Sequence, residues 1–392
     1  MHVLSYTQKT VFLAFIVFAT ATTSRLSAWP VDILPEGPYP VASANFEVSL
    51  PTVGTVEDYL KGAFISGQPR YIASLINHPL SALSIDVAVP DVPELFGSYA
   101  GTTIPVTAYL MYPTTDANER PDYVFPYTNT GDNVFPHMQG PDEAPIPAFE
   151  NKPLPLIVSS HGYTAHGLWD VAHMKFLASH GYLALSIFHG DNRISILPWP
   201  LRPLMVKAFV DYLLEHPLYG PMIDEERVGI SGSSLGGNTV LAILGGGYMN
   251  HPEAITDPRF KAGFGIVPSV RTDYYTPFLA DYSTLQNIHV PFMAVCGEMD
   301  TTTPLHRAMT ALQQTSGITL AFELMGEEHI FSDLAWQDTQ TLEVMFFDSF
   351  LKDSSTARET LMGITYVYGG VADYKILQRD PDAEAEDESE TE

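Results

Sequence analysis

The chain has 392 residues, of which 45% are apolar, so it can bury a core of enzyme size. Its 46 acidic and 19 basic side chains give a formal charge of −27, which opposes binding to nucleic acid and to anionic membrane surfaces. Cys296 is the only cysteine, so no internal disulfide forms, and its position in an apolar run predicts a buried structural thiol. One large domain with neutral or cationic partners is therefore expected.

The two ends of the chain differ from its body. The apolar run from Val11 to Ala19, preceded by Lys9 and followed by small residues, predicts a signal peptide over residues 1–21; Leu26-Ser27-Ala28 offers a second cleavage point. An uncleaved anchor would need about 20 apolar residues, and this run is shorter. We therefore expect a secreted or periplasmic protein with no stable membrane span after cleavage. Residues 378–392 predict an acidic disordered tail.

Residues 29–100 form an N-terminal extension in which Phe46 to Leu50 and Leu83 to Val89 have strand-like patterns. From Thr103 to Met111, apolar and polar positions alternate, which predicts an antiparallel strand with one face toward solvent. Residues 114–153 are crowded with Pro, Asp, Asn and Gly, which favours a long surface loop over packed structure. Whether that loop acts as a lid stays open.

From about residue 154 onward, short apolar runs alternate with longer amphipathic stretches. This alternation predicts an α/β domain over residues 101–370, with a mostly parallel, doubly wound sheet and helices on both faces. The predicted strands are Leu154 to Ser159, Leu183 to Phe188, Val228 to Ser231, Ala262 to Val267, Val290 to Cys296 and Ile318 to Leu324. The predicted helices are Val171 to Ser179, Pro203 to Glu215, Leu235 to Leu244, Leu305 to Gln314 and Gln337 to Leu351.

A glycine-rich turn follows the strand that ends at Ser231. Its residues, Gly232-Ser233-Ser234-Leu235-Gly236-Gly237, match the G-x-S-x-G pattern of a nucleophile elbow and lead into a helical stretch. Gly232 and Gly236 supply the room that so tight a strand-to-helix turn needs, and the turn would present the Ser234 hydroxyl above the sheet. A packing turn or a phosphate cradle is the alternative, although the lysine of a phosphate-binding loop is missing.

A serine nucleophile of this kind needs amide donors for the oxyanion that forms on its substrate. The strand from Leu154 opens into His161-Gly162-Tyr163, and Gly162 would let that backbone approach the elbow. We expect the amides of Tyr163 and Leu235 to converge on one oxygen. His161 precedes the serine on this loop, so we expect it to brace the loop rather than act as a base.

The partners of Ser234 are expected on two later turns, each just beyond the carboxyl end of a strand. Asp300 follows the strand that ends at Cys296, and His329 follows the strand that ends at Leu324. His329 would accept the serine proton, and Asp300 would orient the imidazole. Glu298 is the rival for the carboxylate role. No His, Asp or Glu cluster has metal-ligand spacing, so neither a metal nor a cofactor is expected.

Several further segments carry a resemblance when they are taken together. They are Ser159-Ser160-His161-Gly162-Tyr163, Phe188-His189-Gly190-Asp191, Arg202-Pro203, Ile223 to Ile230, the elbow, Asp257 to Ala262, Gly297-x-x-Asp300 and His329. Over roughly residues 103–350 the chain resembles the bacterial branch of the platelet-activating-factor acetylhydrolases and the dienelactone-hydrolase-like proteins. The resemblance implies the α/β-hydrolase fold and an oxyanion hole formed by Tyr163 and Leu235. Dienelactone hydrolases use cysteine as nucleophile, whereas position 234 is serine.

The leading functional hypothesis is hydrolysis of short-acyl carboxylic esters on lipid-like or other bulky alcohols, through an acyl-enzyme on Ser234. Gly162-Tyr163-Thr164-Ala165 is also similar to cutinase-like polyester hydrolases, which makes a polyester the alternative substrate. A peptidase of the same fold and a non-catalytic binding protein on a hydrolase scaffold are the remaining alternatives. The sequence leaves oligomeric state, acyl length and the reason for the acidity open.

Overall fold

The computed structural model describes residues 30–44, 83–124, 134–140, 143–163, 165, 167–189, 199–247, 251–271 and 278–381. The predicted signal peptide, the strand at Phe46 to Leu50 and residues 382–392 of the predicted tail lie outside these residues. The strands are β1 Val31–Asp32, β2 Val41–Ala44, β3 Leu83–Ala88, β4 Thr103–Pro113, β5 Tyr123–Val124, β6 Val134–Phe135, β7 Leu154–Ser160, β8 Leu183–Phe188, β9 Ile223–Ser233, β10 Phe260–Ile266, β11 Phe292–Gly297, β12 Thr319–Leu324, β13 Val367–Tyr368 and β14 Asp373–Arg379.

The α-helices of the described residues are α1 Pro93–Phe96, α2 Val171–Ser179, α3 Leu201–Glu215, α4 Leu235–Leu241, α5 Pro252–Ile255, α6 Leu305–Leu312, α7 Asp333–Phe350 and α8 Ser355–Gly363. A π-helical turn, Ala242–Gly246, continues α4. Short 3-10 helices lie at Gly97–Tyr99, Gly167–Asp170, Gly220–Met222 and Ser283–Asn287.

Ten strands form one central sheet, in the order β14-β12-β11-β10-β9-β7-β8-β4-β2, with β3 also paired to β4. From β12 to β8 every neighbouring pair is parallel. On one side β14 pairs antiparallel with β12, and on the other β4 pairs antiparallel with β8. β2 and β3 in turn pair antiparallel with β4. The chain passes from β7 outward to β8 and then returns to place β9 on the other side of β7. The loops after β7 and β9 therefore diverge at a topological switch point, where open α/β sheets place their ligands.

Helices cover both faces of this sheet, as the sequence predicts. Alternate strand residues point to opposite faces, so Leu156 and Val158 of β7 join one apolar cluster and Ile157 joins the other. The first cluster contains the buried faces of α3 and α6, and the second contains those of α2 and α7. The buried Cys296 belongs to the first cluster, and burial raises the pKa of its thiol to about 12. It is the structural thiol that its position predicts.

Strand β4 departs from its prediction on one point. It is antiparallel to both β8 and β3, as expected. The expectation of a solvent-facing side is wrong for its second half, because Tyr109 and Met111 are as buried as Ala108 and Leu110. Helix α2 packs over the face that the alternation assigned to solvent. A helix that arrives about 60 residues later in the chain cannot be read from the pattern of one strand.

Part of the predicted loop over residues 114–153 is packed against the domain. The hairpin β5–β6 brings Phe135 into the second apolar cluster, and the Tyr112 hydroxyl donates a 3.1 Å hydrogen bond to the buried side chain of Gln139. Met138 is only 5% exposed. The prediction of an unpacked surface loop is therefore wrong for residues 134–140, since proline and glycine content reports turns and not burial.

Two strands of the predicted N-terminal extension belong to the central sheet, whereas β1 pairs with β13 in a separate two-stranded sheet. β3 occupies nearly all of the predicted strand, and the unpredicted β2 pairs with β4 from Val41 to Ala44. At the other end, β14 continues to Arg379, so the first two residues of the predicted tail, Gln378 and Arg379, are strand residues paired with β12. Both ends of the described chain thus extend the sheet beyond its parallel part.

Two carboxyl groups are buried together where α7 meets the segment before β14. Asp338 is fully buried and accepts a 2.8 Å hydrogen bond from the Val371 amide, while Asp373 accepts one of 2.8 Å from the Val367 amide. Burial, reinforced by the charges of Asp373 and Glu327, raises the pKa of Asp338 to about 7. Burial likewise raises the pKa of Asp373 to about 6. Ionising this pair opposes folding.

We expect Asp338→Asn to raise the free energy of unfolding by ~1–3 kcal/mol at about pH 8 and by much less at about pH 5. The native pKa lies above the unfolded one, so the native state binds the extra proton and loses stability as the pH rises from about 4 to about 7. The asparagine carbonyl keeps the Val371 contact without a charge. Denaturant titrations of both proteins at the two pH values measure this difference.

Asp333→Asn is the matched control, because Asp333 is exposed on the first turn of the same helix. It removes the same formal charge from a hydrated position, so no gain is expected at the higher pH. An equal stabilisation by Asp338→Asn at both pH values would contradict the assignment of the penalty to a buried ionised carboxylate.

Candidate active site

Ser234 occupies the turn between β9 and α4. Its backbone has φ 53° and ψ −111°, a conformation that residues other than glycine rarely adopt. Its amide donates to the Ile266 carbonyl at 2.8 Å, and its carbonyl accepts from the Ser269 amide at 2.9 Å. These bonds hold the strained backbone, and strain of this kind persists only where the surroundings impose it. The turn leaves Ser234 only half-buried, beyond the end of β9.

The two elbow glycines are required by the packing. A Cβ on Gly232 would overlap the carbonyl carbon of Gly236, and a Cβ on Gly236 would overlap the carbonyl oxygen of Ser160 at the end of β7. Both obstacles are backbone atoms, which cannot swing away as a flexible side chain can. The absence of side chains at these positions lets α4 begin directly against the neighbouring strand, as the sequence predicts for such a turn.

The structure brings the three sequence-predicted polar side chains together. His329 Nε2 lies 3.0 Å from Ser234 Oγ, and His329 Nδ1 lies 2.8 Å from Asp300 Oδ2. The three residues follow β9, β12 and β11, whose carboxyl ends share one edge of the sheet. The Asp300 side chain is fully buried, whereas that of His329 is 21% exposed. The imidazole therefore connects a buried carboxylate to a hydroxyl that solvent can reach.

Asp300 is held as a carboxylate. Burial alone would raise its pKa, but the hydrogen bonds from His329 and Thr303 outweigh burial and lower the pKa to about 2. The amides of Thr302 and Thr303 donate to Oδ1 at 2.7 and 2.8 Å, and the Thr303 hydroxyl donates to Oδ2 at 2.6 Å. An ionised Asp300 accepts a hydrogen bond from Nδ1–H of His329. The other ring nitrogen, Nε2, is then unprotonated and faces Ser234 as an acceptor.

Thr303 is a residue of the site that our sequence reasoning missed. A signal was present, because an aspartate followed by threonines is a common pattern for a turn in which the carboxylate binds the next backbone amides. The rival acid, Glu298, is exposed and accepts a 2.9 Å hydrogen bond from the Gly326 amide instead. It ties the β11 loop to the β12 loop, while Asp300 contacts the imidazole.

The loop after β7 passes beside the serine. A Cβ on Gly162 would lie 3.5 Å from Ser234 Cβ, so this part of the loop lies directly beside the serine. Tyr163 follows it, and Leu235 follows Ser234 as the first residue of α4. Tyr163 and Leu235, whose amides are the predicted donors, are thus the chain neighbours of Gly162 and Ser234. A negative charge at this place would also lie at a helix N-terminus.

His161 contacts the loop and its neighbours rather than the serine. Its Nδ1 lies 2.8 Å from the Gly162 carbonyl oxygen, and its Nε2 accepts a 3.1 Å hydrogen bond from the His189 amide. The imidazole is buried, and burial, followed by the charge of Arg202, holds its pKa well below the usual value. Each ring nitrogen of this neutral imidazole thus has a backbone hydrogen-bond partner. These contacts agree with the expectation that His161 braces the loop.

Exposed apolar side chains surround these three loops. Tyr163 is 58% exposed, Met299 57% and Ile330 76%, and each is a chain neighbour of Gly162, Asp300 or His329. The Tyr163 ring lies 6.5 Å from that of Trp199. One large exposed apolar side chain on each of the three loops gives a bound molecule an apolar surface to contact. An uncharged, partly apolar molecule suits this rim.

Within the described ranges, no group of three or more His, Cys, Asp or Glu side chains is arranged to hold a metal ion. None of the helices built from those same residues has the length and hydropathy needed to cross a membrane. A comparison with known protein-family models gives no matching family, and no curated protein matches the chain. The geometry of the site is therefore the ground on which a function can be argued.

Proposed function

We propose that this chain is a serine carboxylester hydrolase with the α/β-hydrolase fold. The observation that carries the proposal is the hydrogen-bonded series Ser234–His329–Asp300, with links of 3.0 and 2.8 Å, assembled from three loops at one edge of a mostly parallel sheet. The acid and base follow the serine in the chain order of that fold. The strained serine turn between a strand and a helix supports the same assignment.

In the first half of the proposed reaction, His329 Nε2 takes the proton of Ser234 Oγ as this oxygen bonds to the ester carbonyl carbon. Asp300 stabilises the imidazolium that forms. The carbonyl oxygen becomes an oxyanion, for which the amides of Tyr163 and Leu235 are the proposed donors. When the tetrahedral species collapses, His329 gives its proton to the departing alcohol, and the acyl group remains on Ser234.

In the second half, His329 takes a proton from a water molecule, whose oxygen bonds to the acyl carbon. The tetrahedral species breaks the bond to Ser234 Oγ, which regains a proton from His329, and the carboxylic acid leaves. Each half thus returns the imidazole to its neutral form. The partial exposure of His329 and Ser234 lets water reach this position without a rearrangement.

The proposed substrates are uncharged esters with a short acyl group on a bulky or lipid-like alcohol. The apolar rim formed by Tyr163, Met299 and Ile330 supports an apolar alcohol group. The formal charge of −27 disfavours an anionic molecule. The short acyl length rests on the resemblance to the acetylhydrolases.

A polyester is the second candidate substrate, because Tyr163, next to Gly162, forms an aromatic pair with Trp199 near the half-buried Ser234. Soluble monomers released from a polyester film would favour this candidate, whereas cleavage restricted to a short-acyl phospholipid would favour the first.

A fluorophosphonate probe and two p-nitrophenyl esters, the acetate and the butyrate, test the proposal on the purified protein. We expect the probe to modify Ser234, identified by mass spectrometry of the digested chain, and to abolish ester turnover in proportion to labelling. Excess p-nitrophenyl butyrate should slow the labelling, since both compete for one hydroxyl. A protein that neither turns over the esters nor reacts at Ser234 would be a binding protein on this scaffold, and the proposal would fail.

A further inference from the structure

A buried arginine holds the loop beside Ser234. Arg202, on the first turn of α3, is only 1% exposed and lies against the backbone that follows β7. Its Nη1 donates to the His161 carbonyl at 2.5 Å, and its Nη2 donates to the Gly162 carbonyl at 3.2 Å. Two successive peptide carbonyls therefore point at one guanidinium, and such charge-assisted bonds are the stronger kind.

The imidazole of His161 reinforces the second of these contacts. A carbonyl oxygen and a backbone amide can act only as acceptor and donor, so the contacts of His161 fix its tautomer. Its Nδ1 must carry the proton that it donates to the Gly162 carbonyl at 2.8 Å, and its Nε2 must accept from the His189 amide at 3.1 Å. Protonation of the ring would set Nε2–H against another N–H group. The Gly162 carbonyl thus accepts from the side chains of His161 and Arg202, and also from the Ala165 amide at 3.3 Å.

The direction of a carbonyl determines the direction of the next amide. In a trans peptide the C=O and the following N–H point in opposite directions. Because the carbonyls of His161 and Gly162 point at Arg202, the amides of Gly162 and Tyr163 point away from it. We propose that Arg202 and His161 are positioning residues that clamp the Gly162–Tyr163 peptide so that the Tyr163 amide faces the developing oxyanion. This inference rests on the proposed function.

The surroundings of the clamp keep its charge pattern constant. The Ser160 hydroxyl lies 2.8 Å from His189 Nε2 and 3.5 Å from Arg202 Nη1, so it joins the two side chains. Burial, followed by the charge of Arg202, holds the pKa of His189 well below its ordinary value. Both histidines therefore stay neutral beside the guanidinium. A fixed peptide costs no reorganisation at the moment when charge develops, which is the condition for strong oxyanion stabilisation.

Two pairs of variants test the clamp. Arg202→Met keeps an unbranched side chain of similar length without donors, and Arg202→Lys keeps the charge with a single ammonium. His161→Leu removes the donor to the Gly162 carbonyl, and His161→Asn keeps one at the position of Nδ1. We expect kcat per active site to fall by about 10²- to 10³-fold in Arg202→Met, as on loss of one oxyanion donor, with KM changed little. We expect kcat per active site to fall further in His161→Leu than in His161→Asn.

Active sites are counted by fluorophosphonate titration, so that misfolded molecules do not enter kcat. A trifluoromethyl ketone, whose adduct with Ser234 carries an oxyanion, supplies the second readout. Its Ki should rise by the same factor as kcat/KM falls across the variants, while the affinity for the matching alcohol stays unchanged. A merely structural role would lower the titrated fraction and leave kcat per site and Ki unaltered, which would overturn the clamp.

If Arg202→Met does not fold, the comparison of His161→Asn with His161→Leu decides, since an equal kcat per site in both would also overturn it. The wild-type protein separates this inference from the proposed function. A wild type without ester turnover or labelling refutes the hydrolase, whereas an active wild type with unaltered variants refutes the clamp alone.

Discussion

Replacing Ser234 with alanine is expected to lower kcat for p-nitrophenyl acetate by at least about 10⁴-fold. In the proposed mechanism the hydroxyl oxygen bonds to the acyl carbon, and it lies 3.0 Å from the imidazole nitrogen that is proposed to take its proton. His329→Ala should lower kcat by a similar factor, because the serine then keeps its proton. The double variant should be no worse than either single one, since the two side chains act as one unit. Steady-state kinetics on the three proteins measure these effects.

His306→Ala is the control for the histidine variant, because His306 is an exposed residue on α6 and belongs to none of the three loops. Its kcat should equal that of the wild type. Circular dichroism and denaturant titration should show that Ser234→Ala remains folded, since alanine is the smaller side chain at a half-buried position. Substantial turnover by Ser234→Ala would eliminate the assignment of the nucleophile.

Asp300→Asn is expected to lower kcat by about 10³- to 10⁴-fold without a loss of fold. The amides of Thr302 and Thr303 both point at Oδ1, so the asparagine carbonyl takes that position and the NH₂ group takes the position of Oδ2. An NH₂ group there donates to His329 Nδ1 and places the ring proton on Nε2. The imidazole then points a donor at Ser234, where an acceptor is required.

Glu298→Gln is the matched control for this variant, because it changes the neighbouring carboxylate of the same loop in the same way. The carbonyl of the introduced glutamine can still accept from the Gly326 amide, so kcat should change less than about threefold. The pair of variants reads directly which of the two carboxylates serves the imidazole. A larger loss in Glu298→Gln than in Asp300→Asn would reverse the assignment.

The parallel part of the sheet could be predicted from the sequence because its strands contain short apolar runs bounded by turn residues. β9 is longer than its prediction, since its charged first half, from Asp224 to Arg227, gave no apolar signal. Leu183–Phe188 has the same bounds in the prediction and in the structure, and Val171–Ser179 does as well. The antiparallel additions were harder to predict. β2 is a run of four small residues, Val41–Ala44, whose partner β4 lies about 70 residues away, so nothing local marks it as part of the sheet.

The candidate site likewise contains residues that the sequence predicts and residues that it does not. Ser234, Asp300 and His329 lie where a rule about loops at the carboxyl ends of parallel strands places them, so their proximity could be expected before any coordinates. Arg202 occurs in the sequence within a segment that carries the resemblance, and no local pattern predicts its contact with the loop after β7. Its contact with the Gly162 carbonyl joins the start of one helix to a loop 40 residues earlier, and such a contact depends on helix packing that sequence periodicity does not specify.

The antiparallel pairing of β14 with β12 protects a strand that would otherwise form the margin of the sheet. β12 leads into the turn that carries His329, and the Met325 amide just beyond it donates to the Ala372 carbonyl at 2.7 Å. Proteolytic removal of residues from 372 onward would leave a row of unpaired amides and carbonyls on β12, which invites intermolecular strand addition. Loss of these residues would therefore promote aggregation, and an affinity tag is best attached beyond Arg379.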